Sequence, residues 1–221
     1  MKLINQEIKY PLYLMTNFKS LVSGIGDVNS TQKYYDDWSD NYEKKLKDWD
    51  YKIPLKLVIL IKKIIKNNPK NILDLACGTG LFGEEIKKIS PRSKIIGSDI
   101  SPKSIQLAKL KRIYNKLYIC NFEKILPYNN CFDLVSMAGA MTYCKNFDKL
   151  FSNIFSYLVK DGYFIFSHRV DLWKQQNFDD VLLSLSKNFD LVYKSNPHHY
   201  LPKNKDFKNK IKVRLILLQK N

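Results

Sequence analysis

A glycine turn flanked by two carboxylates is the part of this sequence best suited to chemistry. Asp74 lies four residues before Gly78, and Gly78-x-Gly80-x-x-Gly83 follows a largely apolar run at 72–75. Such a run predicts a strand buried on both faces, and the glycines predict a sharp turn into a helix. Backbone N–H groups at a helix start can approach a ligand closely where no Cβ intervenes. The segment therefore predicts a cofactor-binding turn.

The glycine spacing alone fits two classes of cofactor. Dinucleotides use it to hold a pyrophosphate at the helix start. The carboxylate of Asp74 would repel a pyrophosphate, whereas it would attract the α-amino group of S-adenosylmethionine (SAM). Short-chain dehydrogenases also need a lysine four residues after a tyrosine, and none of the 14 tyrosines has one. SAM is therefore favoured, and other dehydrogenase classes stay open.

Asp99 is the second carboxylate and ends a predicted strand at 95–99. It lies about twenty residues past the glycine turn, where Rossmann-type folds bind ribose hydroxyls. The alternative is that Asp99 only adds charge near the next helix, whose expected N-cap is Ser101. We predict the ribose role for Asp99, with Ile100 against the adenine.

The remaining pattern predicts one α/β domain built around this turn. Alternating strands and helices indicate a Rossmann-like, seven-stranded, mostly parallel sheet with an antiparallel last strand and helices on both faces. An aromatic-rich helix is expected from about Ser30, and a single helix is expected at 171–187. The predicted organisation is an accessory segment at 1–30 and a single domain at 31–221, comprising a helical cover at 31–67 and the core at 71–221.

The composition excludes some classes of protein and leaves the high charge open. A length of 221 residues with 45% hydrophobic residues suits one domain with a proper core. Four widely spaced cysteines predict free thiols without a zinc site or disulfide framework, and no apolar stretch is long enough to span a membrane. A cytoplasmic location is the default expectation. The net charge of +16 suits nucleic acid, but the lysines are spread along the whole chain, so nucleic-acid binding is not favoured.

Residues 74–80, Asp-Leu-Ala-Cys-Gly-Thr-Gly, resemble the first motif of the class I SAM-dependent methyltransferases, with Ala76 where glycine is commoner. The resemblance implies SAM as cofactor and S-adenosylhomocysteine as product. Asn121 stands where the family often has aspartate, and its carbonyl oxygen can still accept a hydrogen bond from adenine. The implied cofactor-binding residues are Trp38, Tyr42, Asp74, Ala76, Gly78, Gly80, Asp99, Ile100, Asn121, Phe122, Met137 and Ala138.

Over residues 34–169 the chain looks most like the Williams–Beuren-region methyltransferase-like proteins and related small methyltransferases. The matching stretches, besides the glycine turn, are 35–38, 51–54, 97–102 and 139–143. Residues 137–140 carry neither the Asn/Asp-Pro-Pro-aromatic motif common in adenine amino-group methyltransferases nor the acidic ligands of metal-dependent catechol-type enzymes. We therefore expect methyl transfer without a metal, by in-line displacement, to an oxygen, nitrogen or sulfur atom of a small-molecule acceptor.

Three residues that follow predicted strand ends are the candidates for a base or a charge partner in this transfer: Tyr143, His168 and Arg169. Arg169 could pair with an acceptor carboxylate, and a purely structural role for His168 is an equal alternative. The alternative function, from another class, is a non-catalytic SAM-fold protein, or one directed at nucleic acid or another protein through its basic surface.

Overall fold

The computed structural model describes residues 27–208 and 210–221. Residues 1–26 of the expected accessory segment at 1–30 therefore lie outside the described residues. No helix within the described ranges is long and apolar enough to cross a membrane.

Eight strands of the described residues form a single sheet. They are β1 (Asn71–Leu75), β2 (Lys94–Asp99), β3 (Lys116–Ile119), β4 (Phe132–Met137), β5 (Leu158–Arg169), β6 (Phe189–Lys194), β7 (His198–His199) and β8 (Lys212–Lys220). The order is β3-β2-β1-β4-β5-β8-β6, and the short β7 pairs with β8. The pairs from β3 to β5 are parallel, whereas β8 runs antiparallel to β5, β6 and β7. The predicted mostly parallel sheet with an antiparallel last strand is confirmed, with β7 as an additional short strand.

Helices precede the sheet and connect its strands. They are α1 (Val28–Asp48), α2 (Ile53–Ile64), α3 (Leu81–Ile89), α4 (Pro102–Leu110), α5 (Phe147–Tyr157), α6 (Val170–Gln175) and α7 (Phe178–Ser184), with 3-10 turns at Met141–Tyr143 and Leu185–Lys187. The prediction of one helix at 171–187 is wrong. Asn177 adopts a left-handed φ of 46°, which interrupts the helix, and asparagine tolerates that conformation better than most residues.

The side-chain alternation of the strands divides the core between the two faces of the sheet. In β5, Phe164 and Phe166 belong to one cluster and Ile165 to the other, as a period of two residues requires. The first cluster includes Phe151 of α5, and the second includes Leu57 of α2. The central strands are thereby buried on both faces, which holds their carboxyl ends in fixed positions.

A third, smaller cluster fixes the cover helix α1. Trp38 and Leu46 of α1 pack with Leu201 and Phe207, which belong to the segment between β7 and β8. Asp27 caps α1, because its side chain accepts a hydrogen bond from the backbone N–H of Ser30 at 2.9 Å. Helix α1 therefore starts slightly before the expected position.

The strand order reverses between β1 and β4. In open α/β sheets the crevice beyond the carboxyl ends of the strands at such a reversal is the usual ligand site. The glycine turn follows β1 and Asp99 ends β2. Both carboxylates predicted from the sequence are therefore brought to this crevice.

Candidate functional site

Two adjoining cavities lie at the carboxyl ends of β1, β2 and β4, and both are lined by Tyr42, Ala76, Gly78 and Ala138. The other residues that line the first cavity are Val28, Thr31, Tyr35, Asp99, Ile100, Ser104, Cys120, Asn121, Phe122, Glu123, Gly139, Ala140, Tyr143 and Lys145. The others that line the second are Tyr51, Pro54, Asp74, Cys77, Thr79, Leu81 and Phe82. The pair of cavities suits a ligand of two joined parts, one in each.

Asp99 lines only the first cavity and Asp74 only the second. The two carboxylates predicted from the sequence are thus separated, one to each part of the crevice. Each cavity can therefore recognise a different polar group of the same ligand.

The glycine turn between the cavities depends on left-handed backbone conformations. Gly78 has a φ of +54° and Gly80 a φ of +97°, which glycine adopts without steric cost. A Cβ at Gly78 would meet no atom within 4 Å, so the backbone there lies open to the cavities. Ala76 has a φ of 52° although it carries a Cβ, a conformation that costs an L-residue about 1–2 kcal/mol. This is the position at which the family more often has glycine.

The carboxylate of Asp99 fastens the turn and still faces the first cavity. One oxygen accepts a hydrogen bond from the N–H of Gly78 at 2.8 Å, and the other accepts from the N–H of Ser101 at 2.9 Å. Burial raises the pKa of Asp99, and these backbone donors oppose the rise. A carboxylate has about four acceptor positions, so each oxygen can accept a further hydrogen bond. The N-cap of α4 is Ser101, which accepts from Ser104 N–H at 3.0 Å.

Asp74 is almost fully buried at the base of the second cavity. Its oxygens accept hydrogen bonds from the hydroxyls of Tyr114 at 2.7 Å and Ser136 at 2.8 Å. Burial raises its pKa to about 7, while the two hydroxyls oppose the rise. A carboxylate in this position can receive a cationic group of a ligand.

Residues that follow β2 and β3 form the far wall of the first cavity. Ile100, Asn121 and Phe122 all line it. The Oδ1 atom of Asn121 already accepts the N–H of Glu123 at 2.8 Å, and a carbonyl oxygen has a second lone pair for an adenine amino group. Glu123 in turn accepts the N–H of Lys145 at 2.6 Å, which joins this wall to the segment after β4.

Helix α1 forms the roof of the cavities and is fastened to the turn by polar contacts. Tyr35 and Tyr42 line the first cavity from this helix. Glu43 accepts the hydroxyl of Thr79 at 2.5 Å and pairs with Lys111 at 2.6 Å. Trp38 lines neither cavity, because its ring packs 4.6 Å from that of Tyr42, on the side of the third cluster. The structure therefore gives Trp38 a supporting place behind the roof.

Tyrosine hydroxyls surround the backbone at the end of β4. The hydroxyls of Tyr35 and Tyr143 lie 2.9 Å apart, and a Cβ at Gly139 would lie 2.7 Å from the hydroxyl of Tyr51 and 3.0 Å from that of Tyr200. Burial raises the pKa of Tyr143 above its usual value and that of Tyr200 to about 12. These phenols therefore remain protonated at neutral pH, where they can donate hydrogen bonds but do not serve as ready bases.

The prediction that His168 follows a strand end is wrong, because His168 lies within β5. His168 is 1% exposed, and its ring lies 4.5 Å from that of Phe178 and 5.7 Å from that of Trp173. It lines neither cavity, because helices α6 and α7 close over its end of β5. Burial lowers the pKa of His168 to about 4, so it is neutral at pH 7.

Three other predicted residues also lie outside the cavity walls. Arg169 is 3% exposed and donates from Nε to Asp171 at 3.1 Å, with its guanidinium 5.9 Å from the ring of Phe207. Met137 is fully buried in the first core cluster, because it shares the face of β4 with Val135. Gly80 instead leaves room for a tyrosine ring, since a Cβ there would lie 3.1 Å from Tyr114. Neither Met137 nor Gly80 lines a cavity.

Sequence reasoning missed several residues of the crevice. Most of them follow strands or belong to α1, so the rule that ligands bind beyond strand ends could have found them. They include Thr31, Tyr35, Ser104, Cys120, Glu123 and Lys145. Among the described residues, no group of three or more histidine, cysteine, aspartate or glutamate side chains could hold a metal ion.

Comparison with known proteins gives the family of the chain. The family described as a methyltransferase domain matches residues 66–201. The chain belongs to this methyltransferase family. The match spans β1 to β7 and covers both Asp74 and Asp99.

Curated relatives of this methyltransferase share part of its length. It is 29% identical over 124 residues to human Methyltransferase-like protein 27, covering 54% of the chain and 50% of the relative. It is 27% identical over 112 residues to the malonyl-[acyl-carrier protein] O-methyltransferase of Bacillus cereus, covering 50% of the chain and 42% of the relative. The chain spans about half the length of the curated relatives it matches.

Solved structures show the same fold. A putative SAM-dependent methyltransferase from Listeria monocytogenes superimposes with a TM-score of 0.60 at 19% identity, over 76% of this chain and 99% of that one. A SAM-dependent methyltransferase from Thermotoga maritima gives 0.61 at 16% identity, over 85% and 98%. The class I SAM-dependent methyltransferase assignment made from residues 74–80 is confirmed, and SAM is the cofactor of this enzyme class.

Proposed function

We propose that this methyltransferase transfers the methyl group of SAM to an oxygen, nitrogen or sulfur atom of a small-molecule acceptor. When bound, SAM would supply a methyl group activated by its sulfonium. An acceptor lone pair would attack the methyl carbon in line as the carbon–sulfur bond breaks, and S-adenosylhomocysteine would leave. The chain's own part is to bind, orient and desolvate the two reactants. Metal is not part of the proposal, so treatment with a chelator is expected to leave the rate of transfer unchanged.

The two cavities fit the two halves of SAM. Asp99 would accept hydrogen bonds from the ribose hydroxyls in the first cavity, and Ile100, Asn121 and Phe122 would surround the adenine. Asp74 would attract the α-amino group in the second cavity. Gly78 would allow the close approach of the ligand between them. The joined cavities, with one buried carboxylate in each, support this assignment.

The acceptor would meet the methyl group at the end of β4, among the tyrosines around Gly139. The observation that carries this part of the proposal is the group of protonated phenols at that point, which can orient an acceptor through hydrogen bonds. Tyr143 would act as a hydrogen-bond donor rather than as a base. Arg169 lines neither cavity and pairs with Asp171, so its positive charge would act on an acceptor through Tyr143 and Tyr200, in both of which it opposes the rise in pKa.

The names of the relatives suggest the first acceptors to test. They include a malonyl-[acyl-carrier protein] O-methyltransferase and a demethylmenaquinone methyltransferase, whose acceptors differ in kind. We would incubate the protein with SAM labelled in the methyl group and with carboxylates, phenols, quinols, amines and thiols. Labelled product from one class would support the proposal. Absence of transfer to any small acceptor, together with transfer to protein or polynucleotide, would refute it.

Cofactor binding can be tested separately by calorimetric titration with SAM. Asp99→Ala is expected to abolish binding. Asp133→Ala is a matched control, because Asp133 also accepts two backbone N–H groups, those of Lys70 and Asn71, at the opposite end of β1. Equal SAM affinity in the Asp99→Ala variant and in the control would remove Asp99 from the site.

A further inference from the structure

Tyr114 lies beneath the glycine turn, although nothing in its sequence context suggested a role. It belongs to the segment between α4 and β3, and glycines leave the space that its ring fills. A Cβ would lie 3.1 Å from the ring at Gly80, 2.6 Å from the hydroxyl at Gly83 and 2.9 Å from the ring at Gly97. The third glycine of the Gly-x-Gly-x-x-Gly spacing therefore makes room for this tyrosine.

The hydroxyl of Tyr114 is directed at a carboxylate of the second cavity. It donates to Oδ2 of Asp74 at 2.7 Å, while Ser136 donates to Oδ1 at 2.8 Å. Burial and the nearby Asp74 carboxylate raise the pKa of Tyr114 well above its usual value. The phenol is therefore a donor throughout the neutral range. Two hydroxyls thus hold Asp74 in one orientation from opposite sides.

The other titratable groups that face Asp74 do not favour its ionised form. They are Asp99 at the end of β2, Cys77 in the glycine turn and Tyr51 before α2, each of which is neutral or negative. Burial disfavours the charged carboxylate, and the hydrogen bonds from Tyr114 and Ser136 favour it. The two hydroxyls are therefore the groups that offset the burial of this charge.

We propose that Tyr114 is a positioning residue for cofactor binding, which keeps the Asp74 carboxylate ionised and directed toward the α-amino group of SAM. This inference rests on the role proposed above for Asp74. It assigns to Tyr114 an electrostatic effect on SAM affinity that acts through Asp74, in addition to its packing against the glycines.

The test is the pH dependence of SAM affinity in Tyr114→Phe, which keeps the ring and removes only the hydroxyl. Calorimetric titrations would run from about pH 5.5 to 7.5, where an α-amino group stays largely protonated. Wild-type affinity should fall as the pH drops below about 7, because Asp74 becomes protonated. The midpoint of this fall should move up by roughly 0.5–1 pH unit in the variant, which makes binding about three- to eightfold weaker than wild type near pH 6.5 but at most about threefold weaker at pH 7.5.

Two further variants separate this role from packing. Ser136→Ala removes the second donor to Asp74 and should shift the midpoint in the same direction. Tyr118→Phe is the control, because the Tyr118 hydroxyl contacts that of Tyr128 at 2.8 Å and Tyr118 lines neither cavity. A loss of affinity in Tyr114→Phe that is equal at every pH would show a packing role alone and would overturn the inference.

A measurement without cofactor distinguishes a failure of this inference from a failure of the proposed function. Carbon-13 NMR titration of the Asp74 carboxyl, assigned with Asp74→Asn, should show the same upward shift in Tyr114→Phe. An unchanged titration would overturn the inference even if SAM binds normally. Failure of the wild-type protein to bind SAM, with the shift present, would instead refute the proposed role of Asp74 and leave its coupling to Tyr114 supported.

Discussion

Removal of the Trp38 side chain should weaken SAM binding although Trp38 lines neither cavity. Its side chain is 7% exposed, and its ring lies 4.6 Å from that of Tyr42 and 5.7 Å from that of Trp49. Replacement of a buried tryptophan by alanine typically costs about 3–5 kcal/mol. That loss falls on the small cluster between α1 and the segment after β7, so it should populate a state in which the roof is displaced.

The expected result for Trp38→Ala is a SAM dissociation constant raised at least about tenfold, which corresponds to about 1.4 kcal/mol. Trp38→Phe retains an aromatic ring and should bind within about threefold of wild type. Trp173→Ala is the matched control, because Trp173 is 5% exposed and packs around His168 in the first core cluster. It should lower the free energy of unfolding without changing SAM affinity.

Calorimetric titration gives the affinities, and amide hydrogen exchange reports whether α1 loses protection. The contacts of Glu43 with Thr79 and Lys111 would remain in Trp38→Ala and should retain part of the docking. Unchanged SAM affinity in a folded Trp38→Ala protein whose α1 exchanges faster would refute the reasoning, because the roof would then be unnecessary for binding.

Three further substitutions test the packing and the titration of buried groups. Gly97→Ala should cost about 1–3 kcal/mol in urea unfolding, because its Cβ would lie 2.8 Å from Leu117 and 2.9 Å from Tyr114. His168→Phe should make the free energy of unfolding less sensitive to acid. The pKa of His168 is lowered to about 4 in the folded protein and is near 6.5 in the unfolded protein, so acid favours unfolding. Between pH 7 and 4.5 the wild-type protein should therefore lose roughly 2–3 kcal/mol of unfolding free energy that the variant keeps. Urea unfolding at both pH values would show this difference. Ala76→Gly should raise the free energy of unfolding by about 1 kcal/mol or less, as thermal unfolding would detect. The gain comes from relief of the left-handed alanine backbone, and the greater entropy of glycine in the unfolded chain offsets part of it.

The fold was predictable because its signals are local and agree with one another. A buried apolar run at 72–75, a glycine turn and a helix start define the first βα unit, and the same logic places Asp99 at the end of β2. Parallel strands bring such ends to one edge of the sheet. The positions of Asp74 and Asp99 therefore followed from strand ends, without any knowledge of long-range contacts.

The side-chain surroundings were less predictable, because they depend on elements distant in sequence. His168 follows the same strand-end rule as Asp99, yet α6 and α7 close over it with Trp173 and Phe178. These two helices are separated at Asn177 by its left-handed backbone conformation, which the helical periodicity of the sequence does not reveal. Met137 was misplaced for a simpler reason, since the two-residue alternation of β4 turns its side chain into the core.

The glycines of the turn show why a motif can be recognised without its full physical basis. The backbone of Gly78 lies open to both cavities, where the proposed cofactor would approach, whereas Gly83 of α3 and Gly97 of β2 leave space for Tyr114. These glycines look equivalent in the sequence, but in the structure one borders the proposed cofactor site and the other two leave space for a buried phenol. The phenol then donates to Asp74, so the glycines that never reach the ligand still determine how the second cavity presents its charge.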